Sequence, residues 1–167
     1  MKNLAFMLLL LVVVGCNENS KAQNKTNYVA DKSNENYPVS MSEEEWKEKL
    51  TDLEYYVLRE EGTERAGTSD LLNKKEKGTY VCAGCGNPLF KSEHKFDSGT
   101  GWPSFDRTIE GNVAYSTDNK IGMTRTEEHC ARCGGHLGHV FNDGPPETTG
   151  KRHCINGAAL DFIPDQK

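Results

Sequence analysis

Two C-x-x-C pairs and one solitary cysteine carry most of the chemistry legible in this chain. Cys82/Cys85 and Cys130/Cys133 form the pairs. Cys16 closes an N-terminal apolar run, and Cys154 is left without a partner in Arg152-His153-Cys154-Ile155-Asn156. If that stretch is extended, alternate side chains share a face, so Arg152, Cys154 and Asn156 point together. A thiolate is a strong side-chain nucleophile. Arg152 beside it is expected to favour the charged form and lower the Cys154 pKa. A lone cysteine is as a rule an inert buried thiol; the polar neighbours on the same face argue against that here. His136 and His139 can carry protons near neutral pH. Histidines three apart also fit a metal site or an exposed surface, but no third ligand stands nearby.

Val81-Cys82-Ala83-Gly84-Cys85-Gly86 and His129-Cys130-Ala131-Arg132-Cys133-Gly134-Gly135 share one form. Each places two thiols two residues apart with glycine directly after, where a tight turn needs unusual backbone angles. Two such knuckles complete a tetrahedral four-cysteine site for one structural Zn²⁺. The 44 residues between Cys85 and Cys130 would make the metal join distant parts of the chain. Two alternatives stay open: disulfides, which an exported protein permits, and redox-active dithiols, although no strand-to-helix context follows either pair.

The elements that must position these residues are mostly short strands. From Thr79 onward, Gly, Pro, Asn and Asp recur between β-type runs at Thr79–Val81, Leu89–Phe90, Val113–Thr117, Met123–His129, Leu137–Phe141, His153–Ile155 and Ala158–Ile163. The spacing predicts a mainly β fold of antiparallel sheets, and no βαβ pattern supports a Rossmann or thioredoxin-like fold. Two short helices precede them. Ser42-Glu43-Glu44-Glu45 is a capping box with Trp46 and Leu50 on one face. Thr51-Asp52-Leu53-Glu54 repeats it and predicts a helix to about Arg59, burying Leu53, Val57 and Tyr56 and ending at Gly62. Both helices are expected to clip across the domain.

Ser98-Gly99-Thr100-Gly101-Trp102-Pro103-Ser104-Phe105, His136-Leu137-Gly138-His139-Val140-Phe141-Asn142-Asp143-Gly144 and Arg152-His153-Cys154-Ile155-Asn156 occur in that order. With the two knuckles, they resemble the B-type peptide-methionine (R)-S-oxide reductases from about Met41 to Phe162. The resemblance implies two antiparallel sheets in a β-tent architecture, with N-terminal helices and a structural zinc on the side away from the active site. It implies reduction of methionine-R-sulfoxide, free or in oxidised proteins and peptides. Cys154 would be the nucleophile, with His136 and His139 in the active site and His139 nearer the acid role. Asn156 would orient the substrate oxygen or a water. Trp102, a core residue on a blander reading, would offer its flat face to the S-methyl group, with Phe141 completing the slot and Asp143 holding a His or Arg. Family members often carry a second, resolving cysteine where this chain has Thr100. The expectation is therefore a sulfenic acid on Cys154, reset by a small thiol or a thioredoxin-like reductant. A second departure, Gly157-Ala158-Ala159 in place of Ser-Ala-Ser, suggests looser local hydrogen bonding. Two rival readings are a non-catalytic zinc-binding interaction module on the same fold and a disulfide oxidoreductase using a C-x-x-C pair.

The N-terminus reads as a targeting segment. Lys2 precedes the apolar run Leu4–Val14, too short for a membrane-spanning helix of roughly 20 residues. Val13-Val14-Gly15-Cys16 resembles a bacterial lipoprotein signal box, with an ordinary signal peptide as the alternative. Residues 1–15 would be removed, Cys16 lipidated, and polar residues 16–40 would form a flexible tether to a reductase domain at 41–167. The alternative for 16–40 is an arm packed on the domain. That places the protein in the cell envelope, facing the periplasm or exterior and touching the membrane by its lipid only. Net charge −5 without a basic stripe excludes a nucleic-acid binder. Hydrophobic content of 35% and mean hydropathy of −0.71 fit one small loop-rich domain, expected to be a monomer.

Overall fold

The computed structural model describes residues 36–166. The apolar run at 1–15, Cys16 and most of the 16–40 segment lie outside the described residues. Packing onto the domain begins before Met41. The Val39 N–H donates to Arg132 O at 2.9 Å, and the Tyr37 ring meets His129 edge-on with centroids 6.0 Å apart. The end of the expected tether is thus an arm laid on the second cysteine knuckle.

Helices α1 (Glu43–Lys49) and α2 (Asp52–Glu60) both start at the capping boxes read from sequence. In each, the Ser42 or Thr51 hydroxyl accepts from the N–H three residues on, and the glutamate there reaches back. Trp46 and Leu50 are buried as expected. On α2 the buried stripe is Val57 and Leu58, while Leu53 and Tyr56 are 48% and 45% exposed. The reason is what α2 covers. Leu58 turns toward the knuckles, and Arg59 donates to Cys133 O at 3.0 Å. Tyr56 instead folds back over Gly62 beyond the helix end, where the left-handed residue is Glu61.

Among the described residues, nine strands form two sheets, all antiparallel. A three-stranded sheet has the order β2 (Pro88–Lys91), β1 (Gly78–Cys82), β9 (Leu160–Pro164). A six-stranded sheet runs β3 (Lys95–Phe96), β4 (Ser104–Phe105), β8 (Arg152–Ile155), β7 (His136–Phe141), β6 (Arg125–Cys130), β5 (Val113–Asp118). The two-residue strands β3 and β4 leave no period in the sequence. The run expected at Ala158 begins as a 3-10 turn, Gly157–Ala159, before β9.

Aromatic rings join the sheets. Phe105 of β4 stacks on Phe90 of β2 at 4.3 Å and meets Tyr80 of β1 at 4.9 Å; Phe162 of β9 lies 4.9 Å from Tyr80. All but Phe162 are fully buried. Such offset and edge contacts add about 0.5–1.5 kcal/mol per pair beyond area burial. Phe105 is the residue after Ser104, which faces Cys154, so the inter-sheet core sits directly behind Cys154.

Candidate active site

Strand β8 lies between β4 and β7. The register puts Cys154 directly opposite Ser104 on one side and His139 on the other. Directly opposed residues on neighbouring strands share a face, so Ser104, Cys154 and His139 form one row. One pair further along the same face, Arg152 stands opposite Phe141. The intervening residue, His153, points the other way and bonds the fully buried Glu128 at 2.6 Å. A side chain at Gly138 would put its Cβ 2.1 Å from Cys154 O, so glycine there lets β7 approach β8.

Cys154 is half-buried, and a small hydroxyl network surrounds its sulfur. Thr100 Oγ1 lies 3.8 Å from Sγ, and Ser98 Oγ bridges Thr100 and Ser104 at 2.8 Å each. Burial pushes the Cys154 thiol above its ordinary range. The Thr100 contact and the Arg152 charge oppose this without overcoming it. Arg152 lowers the thiol pKa as expected, by its charge and by a side-chain hydrogen bond, but burial outweighs that lowering. The guanidinium is shared, since it also makes two 2.9 Å bonds to Asp143 and lies over the Phe141 ring at 4.4 Å. Asp143 thus holds the arginine, not a histidine.

The two histidine rings lie 5.5 Å apart, each backed by a carboxylate. His136 Nδ1 meets Glu127 Oε1 at 2.7 Å, and Glu127 also accepts from Ser116. His139 Nε2 meets Asp118 Oδ2 at 2.8 Å. Burial pushes Asp118 up, but the Lys120 N–H, His139 and Arg125 outweigh it and hold its pKa at about 2. An ionised Asp118 has no proton to give, so the hydrogen of this bond sits on His139 Nε2 and Nδ1 is left for proton exchange. Burial lowers the His139 pKa, and Asp118 offsets only part of that.

Trp102 is half-buried on the loop entering β4, with its Nε1–H donating to Glu64 O at 3.2 Å. The Ile155 N–H donates to Pro103 O at 3.0 Å, which ties this loop to β8. Asn156 is buried, its carboxamide engaged at both ends: the Glu64 N–H donates to Oδ1, and Nδ2 donates to Leu137 O, each at 3.0 Å. Its contacts are thus with protein groups. The 3-10 turn after it is not loosely bonded, because Gly157 and Ala158 both donate to the Glu64 carboxylate.

Glu64, Asp118, Glu127 and Ser104 have no role legible in the sequence alone. Ser98 and Ser104 lie within the Ser98–Phe105 stretch. The acidic residues had no signal, since carboxylates abound in this chain and their partners depend on strand register.

The four paired cysteines form a separate cluster at the ends of β1 and β6. Their sulfurs lie within 4.8 Å of one another, with Cys82–Cys133 at 3.7 Å and Cys85–Cys130 at 3.5 Å. A disulfide would need about 2.0 Å. Tetrahedral ligation at about 2.3 Å per Zn–S bond spaces sulfurs by roughly 3.8 Å, so the residues fit a metal ion. The Arg132 N–H and Asn87 Nδ2–H point at Cys130 Sγ, at 3.4 and 3.6 Å, as donors supporting a thiolate ligand.

Residues 50–164 match the SelR domain family. The chain is 54% identical over 128 residues to the peptide methionine sulfoxide reductase MsrB of Leptospira interrogans, covering 76% of this chain and 97% of that protein. It is 52% identical over 129 residues to the MsrB of Chromohalobacter salexigens, covering 77% and 97%. Against the chloroplastic peptide methionine sulfoxide reductase B1 of rice it is 53% identical over 126 residues, covering 75% and 58%. With the two-sheet fold, the thiol row and the four-cysteine cluster in place, the chain belongs to the SelR-domain family, that of the MsrB peptide methionine sulfoxide reductases.

Proposed function

We propose that this protein reduces methionine-R-sulfoxide to methionine, with Cys154 as the nucleophile. The observation that carries the reading is the single row Ser104–Cys154–His139, with Trp102 on the adjoining loop. Trp102 takes the S-methyl group against its apolar face, and Phe141, held under Arg152, closes the slot. The Cys154 sulfur attacks the sulfoxide sulfur. A proton reaches the sulfoxide oxygen through His139, whose Nε2 is fixed by Asp118. His136 buttresses the His139 ring. The oxygen ends on Cys154 as a sulfenic acid, and the substrate sulfur leaves as the thioether, two electrons richer. Asn156 acts by holding the exit of β8 against β7. Assay on separated R and S sulfoxides, with metal measured on the same sample, tests the reading. Equal turnover of both epimers would overturn it.

The two pKa directions define a pH window. At neutral pH the pair carries one proton, on sulfur, with His139 neutral. That is the same proton count as a thiolate beside an imidazolium, so the reactive form arises by transfer within the site. Protonating His139 blocks the transfer; ionising Cys154 removes the proton the oxygen needs. The pH profile of kcat/KM should be flat through neutral pH. It should fall on the acid side below 6.5, the ordinary histidine value, and on the alkaline side above 9.0, the ordinary thiol value. An optimum confined to pH 5 would contradict this order of pKa values.

Regeneration is by an external thiol, small or on a thioredoxin-like protein. It condenses with the sulfenic acid to a mixed disulfide and water, and a second thiol releases Cys154. The support is Thr100, which stands 3.8 Å from Sγ where a resolving sulfur would be wanted. One turnover without reductant should leave the wild type about 16 Da heavier. Thr100→Cys should instead finish about 2 Da lighter, because a small rotation brings two sulfurs to bonding distance. An intramolecular disulfide in the wild type would sink the external-thiol route.

The cysteine cluster holds Zn²⁺ in a closed structural site, on the support of four thiol donors with tetrahedral spacing. The N-terminal run ending in Gly15-Cys16 directs the chain to the cell envelope with a lipid on Cys16. Intact mass of the membrane fraction tests this, since an unmodified N-terminus would exclude the anchor.

A further inference from the structure

Glu64 sits on the connection after α2, is 4% exposed, and touches both walls of the thiol site. Its carboxylate accepts from the Gly157 N–H at 2.6 Å through Oε1 and from the Ala158 N–H at 2.9 Å through Oε2. Its own N–H donates to Asn156 Oδ1, and its carbonyl accepts from Trp102 Nε1. Asn156 follows Cys154 by two residues. Trp102 precedes Ser104, the residue facing Cys154, by two. One residue therefore grips the chain on either side of the sulfur.

A buried carboxylate is costly to desolvate, and an apolar residue of similar volume often does as well for stability. What the carboxylate adds is a two-pronged acceptor that fixes two successive backbone N–H groups at short, charge-assisted distances. The opposing surface is shaped for it. A Cβ on Gly157 would lie 1.9 Å from Ser69 Oγ, 2.4 Å from Ser69 Cβ and 3.2 Å from Glu64 Oε1. A serine at this position is thereby excluded while Ser69 stays in place.

We propose that Glu64 is a positioning residue for the reaction: it locks Trp102 and the exit of the Cys154 strand at one separation, so that methyl slot and thiol are in register before substrate binds. The inference rests on the reading of Trp102 as the methyl slot.

The test is a double-mutant cycle of Glu64→Gln and Trp102→Phe in the full metal-loaded protein, with Glu64→Ala as the stronger variant. Gln keeps the volume but offers one acceptor to two N–H groups. Phe keeps an apolar ring and removes the Nε1–H. With metal content and circular dichroism unchanged, E64Q is expected to lower kcat/KM roughly 10-fold and E64A about 100-fold, the scale of an ångström-sized misplacement. KM should rise in both. E64Q and W102F together should cost clearly less than the product of their separate effects, because they break opposite ends of one bridge through residue 64, which fails once either end is lost. A merely structural Glu64 would lower the melting temperature with kcat and KM within about twofold of wild type, or give multiplicative effects; either result overturns the proposal. If E64A fails to fold, E64Q and W102F carry the cycle. If the wild type lacks reductase activity, the functional reading fails instead. The Trp102 emission and the alkylation rate of Cys154, which need no substrate, then decide: both shift in E64Q, or Glu64 is not the lock.

Discussion

Cys154→Ser should reduce turnover of methionine-R-sulfoxide to background, a loss on the order of 10⁴-fold or more, as for removal of other covalent nucleophiles. The hydroxyl is a far weaker nucleophile toward sulfur than a thiol. It also cannot store the oxygen as a sulfenic acid, so both halves of the cycle end together. The fold should be nearly untouched. Cys154 is half-buried at the mouth of the row, and serine at such a site typically costs about 1 kcal/mol. Melting temperature and metal content should match wild type. This contrast separates the enzyme from a zinc-binding interaction module on the same fold, which would be indifferent to the change in any binding assay. Residual turnover above background would move the nucleophile to one of the knuckles and restore the disulfide-oxidoreductase reading.

The parts of the site legible in sequence are those built from rare residue types. Cys154, Trp102, His136, His139 and the two knuckles each stand out in a chain with few such side chains, and their chemistry narrows what they can do. Their partners are not legible. Asp118 and Glu127 are two acids among many, and they meet His139 and His136 only because β5, β6 and β7 pair in a register broken by an irregularity at Glu128/His129. Glu64 lies almost a hundred residues from Gly157 and Ala158 and reaches them only once α2 is docked. Arg152 is legible as a neighbour of Cys154 and in the direction of its effect. What is not legible is the burial of the sulfur, which outweighs the lowering by a guanidinium shared with Asp143. The helix caps are legible because a capping box is local. The buried face of α2 is not, because what Leu58 covers is a cysteine turn far along the chain.

Removing the metal proposed for the four-cysteine cluster, or replacing Cys130 by serine, should unfold the β6–β7 half of the protein rather than merely loosen it. Structural zinc contributes on the order of 10 kcal/mol in isolated Cys/His sites, comparable to the whole net stability of an ordinary domain. The loss would fall on a particular hairpin. Cys130 ends β6, Cys133 lies in the turn, and β7 begins at His136. The same two strands carry Glu127, His136 and His139, so the second cysteine knuckle and the histidine side of the site are one continuous piece. The helices share in it, since Arg59 donates to Cys133 O and the Tyr37–Val39 arm packs on the same turn. Chelation under mild denaturant should therefore abolish activity in step with metal release, although Cys154 lies outside the four-cysteine cluster. Hydrogen exchange should rise first in residues 125–141. Fully active, folded protein without bound metal would overturn the assignment. So would a mass about 4 Da below the fully reduced value, which would report two disulfides among these four cysteines. The 3.5 and 3.7 Å sulfur separations favour ligation, because closing either pair to a disulfide would pull the two knuckles together by more than an ångström. That shift would be transmitted along β7 to His139 and out of register with Cys154.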